Sequence, residues 1–331
     1  MALSTLQAVS ASPLIREYSQ GAAQRNIQPC AQFIAPLVTV STAVGRYKKW
    51  DERTRFSVPD TKRALGGRAV EIGFNLKDAT YNCTPNAIDC PLDIAAIGEA
   101  EQGDLESLMQ EGADMCSEVG ALSHEQAVVT AALAAAGGGS TYHWGTANTP
   151  TDPVADIDAA ILQVIRAAKY GSAMGARIVF GASAWNVFKN APLIKSRFVV
   201  GVGAKGGPAG PAFSVVTEES ASGLFIGSPE IMVPFTVYET AAPGVASTVN
   251  AGSSSTVQFL METAVLVFAA KAAPSRHDPS FMKTFRLNGQ YLVPGSYLRD
   301  DGRVQVAKFD WSEDIQVTNT QAVVRLNPTL S

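Results

Sequence analysis

Three histidines, four cysteines and one glycine-rich run are the groups through which this 331-residue chain could do chemistry, and none stands in a spacing that demands it. His124, His143 and His277 belong to no His-Glu-x-x-His or His-x-His pattern, so no helix turn presents a ready metal site. His124 falls in Ser123-His124-Glu125-Gln126, which has the form of a capping box; His143 reads as loop between Tyr142 and Trp144; His277 reads as a polar turn beside Asp278. All three are therefore expected to be solvated. No Gly-x-Ser-x-Gly elbow accompanies them. Gly201-Val202-Gly203-Ala204-Lys205-Gly206 matches a dinucleotide fingerprint in letters, but Gly207-Pro208-Ala209-Gly210-Pro211 follows where a helix must open, so a surface loop is expected. Cys30, Cys83, Cys90 and Cys116 form neither paired CxxC nor a dense disulfide framework and are expected to be reduced, partly buried thiols. No cofactor, metal or catalytic residue is expected, and an enzyme is not the reading these residues favour.

Charge says more than reactivity. The chain has 26 Lys and Arg against 30 Asp and Glu, a formal net charge of −4, which argues against a surface that is wholly a nucleic-acid footprint. From Asp78 to Ile165 there are 14 acids and not one Lys or Arg, so every base lies outside that window. Arg46, Lys48, Lys49, Arg53, Arg55, Lys62, Arg63 and Arg68 crowd just before it, around Trp50. A tryptophan among bases is a plausible anchor in a neighbouring subunit or a residue folded back on its own domain.

The elements that must position these charges follow from periodicity. Short apolar runs at Val38 to Val44 and Ala69 to Phe74 flank the basic middle and predict a long hairpin leaving the body. Residues 1–40 read as an arm rather than a packed unit, extended around Pro36. Leu105, Leu108, Gly112, Met115, Val119 and Leu122 predict the apolar face of a helix from Glu99 to Val119, with Asp104, Glu111 and Glu118 in an acidic line beside it and Asp114 nearby. The capping box predicts a second helix from Ser123 to Ala136. Asp152-Pro153 predicts the start of a third, with Val154, Ile157, Ile161, Ile165 and Ala168 inward and Gly171 at its end. Arg177 to Gly181 reads as a strand and Ser183 to Lys189 as a short helix, and beyond Val200 the chain turns β-rich. No secretory signal is read at Met1, and the most apolar stretch, Val257 to Ala273, is too short and charged to span a bilayer, so a soluble protein of a reducing compartment is expected.

The order of these pieces resembles the major capsid proteins of tailed bacteriophages, the Hong Kong 97-type fold. The likeness is carried by Phe33-Ile34-Ala35-Pro36 through Tyr47, by Phe56-Ser57-Val58, Arg63-Ala64-Leu65-Gly66 and Tyr81-Asn82-Cys83, and downstream by Asp158 to Ile165 and Ile178 to Trp185. It implies an α+β fold with an N-terminal arm (1–40), an E-loop (41–82), a P-domain with a spine helix (83–175), an A-domain (176–300) and C-terminal strands (301–331) returning to the P-domain. It also implies self-assembly as pentamers and hexamers into an icosahedral head, located in the virion after assembly in the bacterial cytoplasm. The head would enclose double-stranded DNA held non-specifically, and the partners would be a separate scaffolding protein and a portal protein, with a decoration protein outside as an optional addition. An encapsulin-type nanocompartment shell is the alternative.

In that family the E-loop lies across the adjacent subunit's P-domain. The resemblance therefore implies that Arg46, Lys48, Lys49, Trp50, Arg53, Arg55, Lys62, Arg63 and Arg68 face the neighbour's Asp104, Glu111, Asp114 and Glu118. Some relatives remove a long N-terminal segment or crosslink E-loop lysines to asparagine; here neither cleavage nor a covalent shell is expected, although Lys48, Lys49 and Lys62 are available.

Overall fold

The structure is a computed structural model that describes residues 29–50, 60–63, 65–70, 76–93, 104–145, 151–168, 175–198, 216–241, 256–271 and 273–329. In chain order its first elements are α1 (Pro29–Ile34), β1 (Leu37–Val40), β2 (Val44–Trp50), β3 (Leu76–Asn82), β4 (Thr84–Asp93), α2 (Asp104–Ala136), β5 (Ser140–His143), α3 (Pro153–Ala168), β6 (Ala176–Phe180), α4 (Ala182–Asn190) and α5 (Pro192–Phe198). There follow α6 (Glu218–Ser222), β7 (Glu230–Met232), β8 (Val237–Glu239), β9 (Val257–Phe259), β10 (Val265–Ala269), β11 (Met282–Leu287), β12 (Val293–Leu298), β13 (Val304–Val317) and β14 (Val323–Thr329).

Two five-stranded sheets organise these elements. One runs β5-β14-β10-β6-β7, and its central β10 is the uninterrupted apolar run Val265-Leu266-Val267-Phe268-Ala269, buried at every position as a strand covered on both faces must be. Against it pack α3 and the ring cluster of Phe180, Trp185 and Phe188 from β6 and α4. Helix α3 starts as expected: the Val154 N–H donates to Asp152 Oδ1 at 3.1 Å, and Val154, Ile157, Ile161 and Ala168 face inward with Ala160 and Val164. Gly171 lies outside the described residues.

The other sheet is built on β13, a strand of 14 residues. Its partners are β11 and β12 on one edge and β4 along the other, with β1 extending the sheet in parallel beyond β11. Strand β4 forms the outer edge, and its Pro85 and Pro91 blunt that edge, since proline offers no N–H for a further strand.

Helix α2 joins the two cores. Its 33 residues span about 50 Å, with Ala113 and Cys116 in a cluster against β4 and β13, and Val128, Val129 and Ala132 in the large core. Two sequence expectations are corrected here. The helix runs without interruption through Ser123-His124-Glu125-Gln126, because His124 and Glu125 are both buried in mid-helix contacts that a cap would forfeit. The buried face is also not the one the large apolar residues mark: Met115 and Val119 are 58% and 50% exposed, whereas Gly112, Ala113, Cys116, Ser117, Gly120 and Ala121 face the sheet. Small residues win because the backbone comes close; a Cβ on Gly120 would lie 2.7 Å from Leu292 Cδ2.

Residues 29–40 are packed rather than loose. Cys30, Ala31, Ile34 and Ala35 are at most 1% exposed within the large core, α1 is helical, and β1 pairs with β11. Val38 to Val44 is therefore not one hairpin strand. The hairpin ladder runs from Val44 opposite Asn82 to Trp50 opposite Leu76, so its first strand enters the stretch that reads from sequence as the polar middle and its second lies beyond the expected run at 69–74. Residues 69 and 70 belong to no strand. Strands β4, β5 and β12 and helices α5 and α6 also go beyond the sequence expectation.

Candidate subunit interface

The root of the hairpin is fixed by aromatic packing. Tyr47 and Tyr81 are 2% and 1% exposed and flank Phe285 of β11, with ring centroids 5.3 and 4.8 Å away, the Tyr81 ring stacked at 14°. Gly45 sits opposite Tyr81 in the ladder, where any side chain would overlap the tyrosine ring, so glycine is what lets that ring lie across the strand. The Asn82 N–H donates to Asp314 Oδ2 at 2.7 Å, and the Cys83 thiol donates to the Phe285 carbonyl at 3.5 Å. Both strands of the hairpin thus leave the β11–β13 sheet at a fixed place.

The basic residues on this hairpin divide by what is described of them. Arg46 is exposed, as are Lys62, Arg63 and Arg68, with Leu65 fully exposed beside the left-handed turn at Gly66. Lys48, Lys49 and Trp50 are on β2, where the register sets Lys48 opposite Asp78 of the same hairpin and Lys49 opposite Lys77. Their side chains lie outside the described residues, as do Arg53 and Arg55 entirely. Of the acidic set, Glu111 and Glu118 are exposed on α2, Asp114 is half-buried, and Asp104 opens the helix with its side chain outside the described residues. Helix α2 contains no Lys or Arg. Its outer face thus combines Glu111 and Glu118 with the exposed Met115 and Val119, acid and apolar surface together. Among the described residues no ion pair joins Arg46, Lys62, Arg63 or Arg68 to Glu111 or Glu118.

Beneath that outer face lies a buried ionic cluster that sequence reading missed. Glu313 of β13, 7% exposed, accepts from His124 Nδ1 at 2.8 Å, from Trp311 Nε1 at 3.0 Å and from Arg286 at 2.8 Å. Burial pushes its carboxyl up, but hydrogen bonds and charge from His124 and Arg286 outweigh that and hold it at about 2. The Arg286 guanidinium lies 4.0 Å from the Tyr291 ring centroid. One signal was available: Glu313 shares the inward register of Phe309 and Trp311. Neighbouring Glu125 is fully buried, and among the described residues neither of its carboxylate oxygens completes a hydrogen bond. Burial raises its pKa, against the lowering effects of Thr236, His124 and the backbone at Cys30 and Ala31. A second ion pair is buried in the loop before β11, where Lys283 Nζ lies 3.3 Å from Asp278 Oδ1 and donates to the Ser275 and Asp278 carbonyls.

The histidines correct the expectation of solvation at one position. His124 is buried, His143 is half-buried on β5 with Nδ1 3.0 Å from Thr329 Oγ1, and His277 is exposed in a turn as read. All four cysteines are buried and free. The glycine-rich run 201–206 lies outside the described residues. Among the described residues no group of three His, Cys, Asp or Glu is placed to hold a metal, and no helix is long and apolar enough to cross a membrane.

No family model and no curated protein matches the chain. Solved structures do. A phage-related protein from Bordetella bronchiseptica RB50 matches with a TM-score of 0.62 at 15% identity, over 96% of this chain and 96% of that one. A virus-like particle from Pyrococcus furiosus matches with a TM-score of 0.51 at 12% identity, over 95% of this chain and 98% of that one. This chain has their fold. The α+β fold expected from the order of the elements is thereby found, and the likeness is carried by topology rather than by shared residues. On that fold, helix α2 and the rooted hairpin β2–β3 carry exposed charge of opposite sign, Glu111 and Glu118 on the one and Arg46 on the other.

Proposed function

We propose that this chain is the major capsid protein of a tailed double-stranded DNA phage, a structural subunit that assembles as pentamers and hexamers into an icosahedral head. The single observation that carries this reading is the match in fold to a phage-related protein over nearly the full length of both chains. The match to a virus-like particle supports assembly into a closed shell.

The mechanism of closure is electrostatic and apolar together. The hairpin, held at its root by Tyr47, Tyr81 and Phe285, reaches across an adjacent subunit so that Arg46, Lys48, Lys49, Arg53, Arg55, Lys62, Arg63 and Arg68 meet the outer face of that subunit's α2, with Trp50 as an anchor. Single exposed ion pairs contribute only about 0–1 kcal/mol. Repeated around every subunit they select register and partner, while Met115 and Val119 supply the area to be covered. A net acidic subunit also suits a container, because weak adhesion to packaged DNA leaves the polymer free to enter and leave. In this reading residues 1–40, 41–82, 83–175, 176–300 and 301–331 serve as arm, E-loop, P-domain, A-domain and returning strands. A scaffolding protein, a portal and an outer decoration protein are the further partners, and the head forms in the host cytoplasm.

The test is negative-stain electron microscopy with sedimentation velocity on the full chain, expressed with and without neighbouring phage genes. Closed shells or capsomer-sized rings are expected. A persistent monomer or dimer under both conditions would overturn the reading, and shells that consistently enclose one co-purified enzyme would move it to the nanocompartment alternative.

A further inference from the structure

Two of the four cysteines share one small buried cluster. Cys90 on the edge strand β4 and Cys116 on α2 share a closed cluster with Ala113, Leu292, Phe309 and Trp311, and they are 6% and 3% exposed. Cys90 lies close enough to Cys116 to help raise its pKa, after burial itself. Cys30 and Cys83 have different surroundings: Cys30 is in the large core, and Cys83 donates to the Phe285 carbonyl. Two cysteines on separate elements within one small buried cluster are the arrangement from which a disulfide can close, the sulfurs drawing in to about 2.05 Å.

We propose that Cys90 and Cys116 are a latent disulfide site, open in a reducing cytoplasm and closed by exchange with a small-molecule disulfide once the folded protein leaves it. The capsid reading supplies the occasion, since a released particle leaves the glutathione pool behind. Cys90, on the blunted edge strand and the more exposed of the two, reacts first. Its thiolate attacks the small disulfide, forms a mixed disulfide and expels one thiolate; Cys116 then displaces the second. The two cysteine protons end on the two expelled thiolates, and the two electrons lost by the cysteines reduce the small disulfide. Burial, followed by the neighbouring Cys90 and Asp89, pushes the Cys116 thiol up to about 12, which keeps thiolate scarce and makes the exchange slow. The closed bond would fasten β4 to α2 across the 26-residue step between them.

The full chain is incubated with oxidised glutathione, alkylated, digested without reductant and mapped by mass spectrometry. A Cys90–Cys116 crosslinked peptide is expected, with Cys30 and Cys83 alkylated. The melting temperature is expected to rise by roughly 5–10 °C, to return on reduction, and not to rise in Cys116→Ser or Cys116→Ala. Four alkylated thiols after prolonged oxidation of the folded chain, a crosslink that uses Cys30 or Cys83, or glutathione mixed disulfides alone would overturn the proposal. The mapping needs no assembly, so its failure leaves the capsid reading standing, and failure to form shells leaves the thiol pair to be judged by mass.

Discussion

His124 Nδ1 lies 2.8 Å from Glu313 Oε1, although 189 residues separate the two in sequence. Through that contact the middle of α2 is registered on β13, and Glu313 carries Arg286 of β11 on its other oxygen. Helix and sheet therefore share one buried carboxylate.

Replacing that carboxylate should be costly. Glu313→Gln leaves Arg286 buried without a full counter-charge, and a loss of about 3–5 kcal/mol is expected in denaturant unfolding of the unassembled subunit. The pH dependence has a definite sign. Glu313 is held at about 2, below its unfolded value, so its contribution is complete above the unfolded value and is lost as pH falls toward 2. Unfolding titrations should show that loss in the wild type and a flatter profile over the same range in Glu313→Gln.

Glu125 works in the opposite direction. Burial raises its pKa, so the folded state favours the protonated form and its cost grows as pH rises above the unfolded value. Glu125→Gln should stabilise the subunit by about 1–2 kcal/mol at pH 7 and by little near pH 4. Equal melting shifts at both pH values would show that the carboxylate charge is not what the site resists.

Gly45→Ala should disturb the hairpin root alone. The added methyl overlaps the Tyr81 ring, so either the ring leaves Phe285 or the ladder shifts, at a cost of about 1–3 kcal/mol. Hydrogen exchange should rise first in residues 44–50 and 76–82, while β10 stays protected.

On the outer face of α2, two substitutions separate assembly from folding. Met115→Ser with Val119→Ser removes exposed apolar surface and should change subunit stability by no more than about 0.5 kcal/mol. Sedimentation should nevertheless show shells lost or delayed.

Reversing Lys48, Lys49, Arg53 and Arg55 to Glu should also block or misdirect assembly of a folded subunit. Added reversals at Glu111 and Glu118 should partly restore it. Lys48 has Asp78 opposite it within its own hairpin, so Lys48→Glu alone should also loosen the ladder. Normal shells from the quadruple variant would sink the electrostatic mechanism.

What could be read in advance was local. Strand β10 and helix α3 announce themselves by an unbroken apolar run and by Asp152-Pro153, signals that need no distant partner. The acid-rich character of α2 was equally plain, because charge pattern is a property of neighbours in sequence. The face that helix buries was not. Met115 and Val119 outrank Gly112 and Gly120 in hydrophobicity, yet close approach to β4 and β13 favours the smaller side chains, and that approach is set by residues near 300. For the same reason Ser123 to Gln126 imitates a cap: only Glu313 makes an interior histidine there worthwhile. Strand β4, with two prolines and many exposed residues, becomes a strand because β13 lies beside it. At the proposed interface, residue types were legible and pairings were not, since a pairing between subunits would leave no periodicity within one.

Strand β13 also sets a schedule. It begins at Val304, yet it supplies the partner for β4, the registration of α2 through Glu313, and Asp314 for the hairpin root. On the ribosome β4 and the anchor at Asn82 must therefore wait until residues past 304 have emerged, a topology that favours slow folding and exposure to aggregation. The same delay leaves a nascent or truncated chain without the strand that fixes its hairpin root, so the hairpin takes its final aim only in a finished chain.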